Sequence, residues 1–237
     1  MPFTNLTLRF FRDLKRHNAK VWFEAHRDEY EQSVRDPMRV LIEDLDVRFA
    51  RFAPEIIGDP KRSMFRIYRD IRFSKDKSPY KTHAASWFRH RDADASVGSE
   101  AQHGGAGFYF HLEPGGSFIG GGIWMPPRLQ LARLRDAIAE HPAAFERVVR
   151  APTFTRRFGG LSSEDGTVLK RMPRGFPETH PAARWLKYQS FTAGRGLTDA
   201  QVTSQRLPAT LEHEFARLLP LVRWLNRALG LEPATRR

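Results

Sequence analysis

Residues 108–124, FYFHLEPGGSFIGGGIW, constrain this chain more tightly than any other stretch. Pro114-Gly115 suits the central positions of a type II turn, where proline presets the backbone and glycine takes the positive φ. Pairing Glu113 with Gly116 across that turn sets a register, with His111 opposite Phe118 and Tyr109 opposite Gly120. Strand side chains alternate, so Phe108, Phe110, Leu112, Ile119 and Ile123 share one face, which must be core. Tyr109, His111, Phe118, Gly120, Gly122 and Trp124 share the other. The three glycines at 120–122 weaken a strand, and point to a bulge, a tightly packed neighbour or the approach of a ligand.

Upstream, Met64–Phe73 reads as a strand with Phe65, Ile67, Ile71 and Phe73 on one face and Arg66, Tyr68, Asp70 and Arg72 on the other. Ser74–His83 is a turn-rich loop with Pro79 fixing its backbone, and Ala84–Phe88 is a returning strand. Between Lys61 and Lys81 stand eight Lys or Arg residues against Asp70 and Asp76, half of the chain's net charge of +12. The chain otherwise prefers Arg, yet four of its eight lysines fall here, so a general bias does not explain the cluster. Planar guanidinium forks and mobile ammonium groups together suit an anion with several oxygens, a phosphate or a carboxylate. The candidate ligand-binding residues are therefore Arg66, Tyr68, Arg72, Lys75, Lys77, Tyr80 and Lys81, with Asp70 placed to orient a neighbouring arginine. If the polar face of this strand meets that of the hairpin, Tyr109 and His111 are the candidate catalytic groups, the imidazole acting as acid or base near working pH.

The flanks are helical. Leu6, Phe10 and Leu14 predict an amphipathic helix over 4–16, and Trp22, Phe23, His26 and Tyr30 a second over 20–34. His26 packs beside its aromatic neighbours in this reading. Asp36-Pro37 is a start signal for a third helix with Leu41, Leu45, Phe49 and Phe52 inward. Pro126-Pro127 opens a helix ended by His141-Pro142, and a shorter one follows over 143–150. Residues 152–181 read as turns and short extended pieces, 92–107 as an exposed loop, 179–188 as a brief helix and 190–197 as a last strand. Thr198 with Gln201 forms a capping box. Leu211, Phe215, Leu218, Val222, Leu225 and Leu229 make a seam that Pro220 kinks or breaks. The seam faces the core by default, and a dimer through it is the alternative.

The expected fold is α+β, a central antiparallel sheet covered by N-terminal and C-terminal helices, in one domain over 1–237. Its parts are helical over 1–55, mostly β over 63–124, mixed over 125–197 and helical over 198–230. No apolar run approaches the roughly 20 residues of a membrane span, and the first residues lack the layout of a signal peptide. Cysteine is absent, which excludes disulfides and thiolate metal sites and fits a cytoplasmic setting. No Gly-x-Gly-x-x-Gly joins a strand to a helix, and no phosphate-loop motif or Gly-x-Ser-x-Gly elbow occurs. The nine histidines form no His-x-x-x-His or His-Glu-x-x-His pair, so neither a dedicated metal site nor a cofactor is expected.

Two functions of different class stand open. One is a domain binding an anionic small molecule, with or without catalysis. The other is a nucleic-acid-binding module, with Lys75, Lys77 and Lys81 on phosphates and Tyr80 or Trp87 stacked on a base. A structural or interaction role without catalysis is a third, and the oligomeric state is undetermined.

The runs FRIYRDIRFSKDKSPYKTH (65–83), NAKVWF (18–23), GGGIWMP (120–126) and LKRMPRGF (169–176) with the later His180-Pro181 belong together. With them the chain resembles, from about Phe10 to Leu225, the conserved hypothetical family catalogued as domain of unknown function 2461. The resemblance implies one full-length domain and carries no established activity.

Overall fold

The computed structural model describes residues 3–72, 75–93 and 104–233. Within them the fold is α+β, with an antiparallel sheet in the order β1 (Ile56–Ile57), β2 (Ala84–His90), β3 (Gly107–Leu112), β4 (Phe118–Ile123) and β5 (Phe191–Gly196). Helices α1 (Asn5–Arg16), α2 (Lys20–Ala25), α3 (Arg27–Tyr30) and α4 (Asp36–Phe52) precede the sheet, and α5 (Pro60–Ser63) follows β1. Between β4 and β5 come α6 (Arg128–Glu140), α7 (Pro142–Val149), α8 (Pro152–Phe158) and α9 (Ala183–Leu186); α10 (Asp199–Val202) and α11 (Leu207–Ala228) end the fold.

The β3–β4 hairpin has the register that its turn dictates, His111 opposite Phe118 and Tyr109 opposite Gly120. Gly116 N donates to Glu113 O at 2.9 Å, and Gly115 sits at φ 72°. Phe108, Phe110, Leu112 and Ile119 are fully buried beneath α4 and α11. Phe49 of α4 meets Phe88, Phe108 and Phe215 at ring-centroid distances of 5.1, 5.8 and 6.1 Å. Burying each ring contributes roughly 2 kcal/mol, so this cluster outweighs any single polar contact around it.

Polar anchors tie α11 to the rest. Arg223 pairs with the buried Glu55, Nε to Oε1 at 2.6 Å. Glu214, almost fully buried, receives Arg195 Nη2 at 2.9 Å and also pairs with Arg157. The Asn226 side chain accepts from Ala106 N at 2.7 Å and donates to Ala106 O at 3.1 Å, pinning the entry to β3.

Four local expectations are corrected. Met64–Phe73 is not a sheet strand: its described part is extended, touching β2 through the single bridge Met64–Ser86 and folding onto the following residues through Tyr68–Tyr80. Phe73 and Ser74 lie outside the described residues, as does most of the 92–107 loop. The segment leaves the sheet after Phe65, whose N–H donates to Ala85 O at 3.0 Å, and from there Lys81 N donating to Ile67 O at 2.8 Å and Arg69 N to Pro79 O at 2.9 Å fold it onto the returning residues instead. Asp36-Pro37 opens α4 with the proline in its first turn, but Asp36 is itself helical and is not an N-cap. A π-helical turn at Glu31–Arg35 carries the chain straight into α4, and its wider ring accommodates the proline that an α-turn would reject. Residues 152–158 form α8 rather than an extended piece, with Phe154 buried. Pro220 does not end α11, because it and Ala216 lie on the exposed side, where water can hydrate a freed carbonyl.

Candidate functional site

The sheet face away from α11 carries Trp87, Tyr109, Phe118, Gly120, Gly122, Thr192 and Gly194 in register. Above it lies a cavity of about 1070 Å³. One side is the segment from Trp124 into α6. The other is the loop bearing Ser162 and Glu164, held to β5 by Ser162 N donating to Thr192 O at 2.7 Å. Met125, on the first wall, has φ 40° and donates its N–H to Ser190 Oγ at 2.9 Å. A side chain in that region is strained unless its surroundings hold it, and such residues cluster where a chain positions ligands.

The three glycines of β4 have three different causes. A Cβ on Gly121 would lie 3.0 Å from Leu218 Cβ, so this glycine lets α11 pack closely. Gly122 has φ 125°, and a Cβ there would collide with Phe191 O. A Cβ on Gly120 would meet only Ala193 O, at 3.4 Å, an ordinary contact. Gly120 therefore leaves the floor of the cavity open without any demand from the backbone.

Phe65 closes the cavity toward the basic stretch, its ring edge-on to Tyr109 at 5.9 Å. Lys81 Nζ stands 5.3 Å from the centre of the Phe65 ring and donates to Arg66 O at 3.0 Å. Burial first, then Arg66 and Arg69, push the Lys81 ammonium below its ordinary pKa. The other sequence-predicted groups lie elsewhere. Arg72 folds back on Asp70, Nη2 to Oδ2 at 2.7 Å, and hydrogen bonds from Arg72 hold that carboxyl at about 2. Lys77 Nζ donates to Ile71 O at 2.9 Å, and Lys75 is exposed. Tyr68 is partly exposed beside Phe23 and Tyr80. Tyr80 is buried, stacked on Phe23 at 4.2 Å, and so presents no face to an incoming base. The basic stretch thus divides. Lys81 and the Arg66 backbone adjoin the cavity through Phe65, while Tyr68 and Tyr80 join the aromatic cluster of the N-terminal helices.

Tyr109 and His111 are in contact, the hydroxyl 3.1 Å from Nδ1. His111 Nε2 lies 3.3 Å from Glu113 Oε2, and the His83 ring is 4.3 Å from that of His111. Burial pushes His111 down against the opposing pull of Glu113. His83 falls to about 4, through burial and then the charges of His111, Lys81 and Arg69. Burial raises the Tyr109 phenol to about 12. Burial thus favours the neutral form of both imidazoles and of the phenol, and a neutral imidazole is the form that ligates a metal.

Glu113 escaped the sequence reading although its alternation with Tyr109 and His111 was a signal for it; His83 joins them only through the strand pairing. Tyr109, His111 and Glu113 alternate at the strand period, and the β2–β3 register runs through Ala84–Leu112. One step further sets His83 opposite Glu113. His26, by contrast, is a packing residue, stacked on Trp22 at 4.0 Å with Nδ1 2.8 Å from Trp22 O.

Neither the curated proteins nor the solved structures contain a match to this chain. The sequence model of one family covers residues 6–224, and takes in α1 through most of α11 and every strand described above. By that coverage the chain belongs to the conserved hypothetical protein family DUF2461.

Proposed function

We propose that this chain is a small-molecule-binding domain whose ligand lies on the aromatic-walled sheet face and carries a phosphate or carboxylate toward Lys81. One observation carries the reading: at Gly120 a central strand position has space for a side chain and lacks one. Trp87, Tyr109, Phe118 and Phe65 border that floor, and such rings favour a planar or ring-bearing ligand. The cavity is at the large end of the range for cofactor and drug-sized ligands. Lys81 supplies a partly desolvated cation behind Phe65, where a charge-assisted bond to an anion is stronger than in water.

A thermal-shift screen with Gly120→Val tests this. The branched side chain enters the cavity at a position without backbone strain, so the variant folds and its floor is filled. Nucleotides, aromatic carboxylates, sugar phosphates and short oligonucleotides form the panel. A ligand at 100 times its dissociation constant stabilises the fold by about 2.7 kcal/mol. The expected result is a shift with a small ring-bearing anion in the wild type, absent in Gly120→Val and weaker in Lys81→Ala. Equal shifts in wild type and Gly120→Val would remove the cavity from the reading. Shifts with oligonucleotides alone, fading steeply with salt, would replace it with a nucleic-acid-binding function.

A further inference from the structure

We propose that His83, His111 and Glu113 form a binding site for a divalent first-row transition metal of the zinc class. His83 lies in the bend just before β2, His111 on β3 and Glu113 just after β3, so His83 is distant in sequence from the other two. His111 and Glu113 are two residues apart on one face, and the β2–β3 pairing brings His83 across to them. One ligand atom from each lies within 4.8 Å of the other two. Tetrahedral coordination at bonds of about 2.0–2.1 Å places ligand atoms about 3.3 Å apart. His111 Nε2 and Glu113 Oε2 already stand at 3.3 Å. Binding would draw the His83 ligand atom, now within 4.8 Å of the other two, toward that spacing.

Two further features point the same way. His111 is buried, and its Nδ1 faces the Tyr109 hydroxyl at 3.1 Å. A metal-ligating histidine characteristically engages its second nitrogen in a bond that fixes tautomer and orientation. In the metal-free protein the Glu113 carboxylate can only accept, so Nε2–H donates to it and the Tyr109 hydroxyl faces the Nδ1 lone pair; a metal would take the place of the Nε2 proton, and Nδ1–H would then donate to the Tyr109 oxygen. Glu113 is about one-third exposed, which gives a metal a path from solvent and leaves water a place in the coordination sphere. Two imidazoles and one carboxylate are a borderline donor set, suited to zinc and its neighbours rather than to calcium or magnesium. Lys81 and Arg69 face His83 electrostatically, so they oppose a dication, and the Glu113 carboxylate offsets part of that field. They also favour an anion as the remaining ligand.

The inference is independent of what fills the cavity, because the probe is the metal alone. Chelator-stripped full-length protein is titrated with Zn²⁺ by calorimetry and with Co²⁺ by visible absorption. The expected result is one equivalent bound, a Co²⁺ ligand-field spectrum of low coordination number and a metal-dependent rise in melting temperature. His83→Ala and Glu113→Gln, both at partly exposed positions, should each weaken binding at least tenfold with unchanged circular dichroism. Tyr109→Phe, a change at a positioning residue, should weaken it by about tenfold or somewhat more and alter the Co²⁺ spectrum. His141→Ala, away from the cluster, should change nothing. Absence of saturable binding, or binding that survives both His83→Ala and Glu113→Gln, would overturn the site.

Discussion

Asn18 does for Tyr80 what a neighbouring strand would do. Its side chain donates to Tyr80 O at 2.9 Å and accepts from Tyr80 N at 3.0 Å, so the returning half of the basic stretch is held against the N-terminal helices. Asn18→Ala leaves both partly buried backbone groups without that partner and should cost about 2 kcal/mol, read as a lower urea midpoint. Glu214 is the corresponding residue on α11. Burial alone would raise its carboxyl, but hydrogen bonds and charge from Arg157 and Arg195 bring it from an ordinary 4.5 down to about 2. A depressed carboxyl stabilises the fold above its unfolded pKa and loses that contribution as pH falls toward the folded value. The stability difference between wild type and Glu214→Gln should therefore be full at pH 7 and shrink between about pH 4.5 and 2. At pH 7 the substitution leaves two guanidinium groups without their buried carboxylate and should cost about 3 kcal/mol, as denaturant titrations at each pH would measure.

At the scale of the element, β4 separates three demands that look identical in sequence. Gly120→Ala enters open space and should change stability by less than about 0.5 kcal/mol. Gly121→Ala presses on Leu218 within the core and should cost about 1–3 kcal/mol. Gly122→Ala combines a positive φ with a collision against Phe191 O and should be the most damaging of the three. Melting temperatures in that order check the assignment; equal losses at 120 and 122 would refute it. Helix α11 shows the same dependence on position. Pro220 breaks an isolated helix, yet on the solvent side of a helix packed along β4 it is carried through. The extended segment from Met64 is the opposite case. Its alternation is that of a strand, but beyond Phe65 its backbone groups bond to the returning residues 79–81 rather than to the sheet edge.

On the scale of the whole molecule, the C-terminal seam is the buried face of a covering helix. Leu211, Phe215, Leu218, Val222 and Leu225 are all fully buried within this chain. Leu218→Asp places an unpaired charge beneath the sheet and should unfold the protein; circular dichroism showing a folded monomer after this change would contradict the packing. Among the described residues no helix is long and apolar enough to cross a membrane. The chain's alternations alone determined the α+β class, the capping box at Thr198 and Gln201, and the hairpin register with its buried and open faces. Each of these is set by contacts between residues close in sequence: a turn type, a strand period, a helix cap. The union of His83 with His111 and Glu113, the burial of Tyr80, and the separate causes of Gly120, Gly121 and Gly122 were decided by tertiary structure. They depend on which strand pairs with which and which helix lies above a given position, and a periodicity of two or 3.6 carries no information about the neighbour across the sheet.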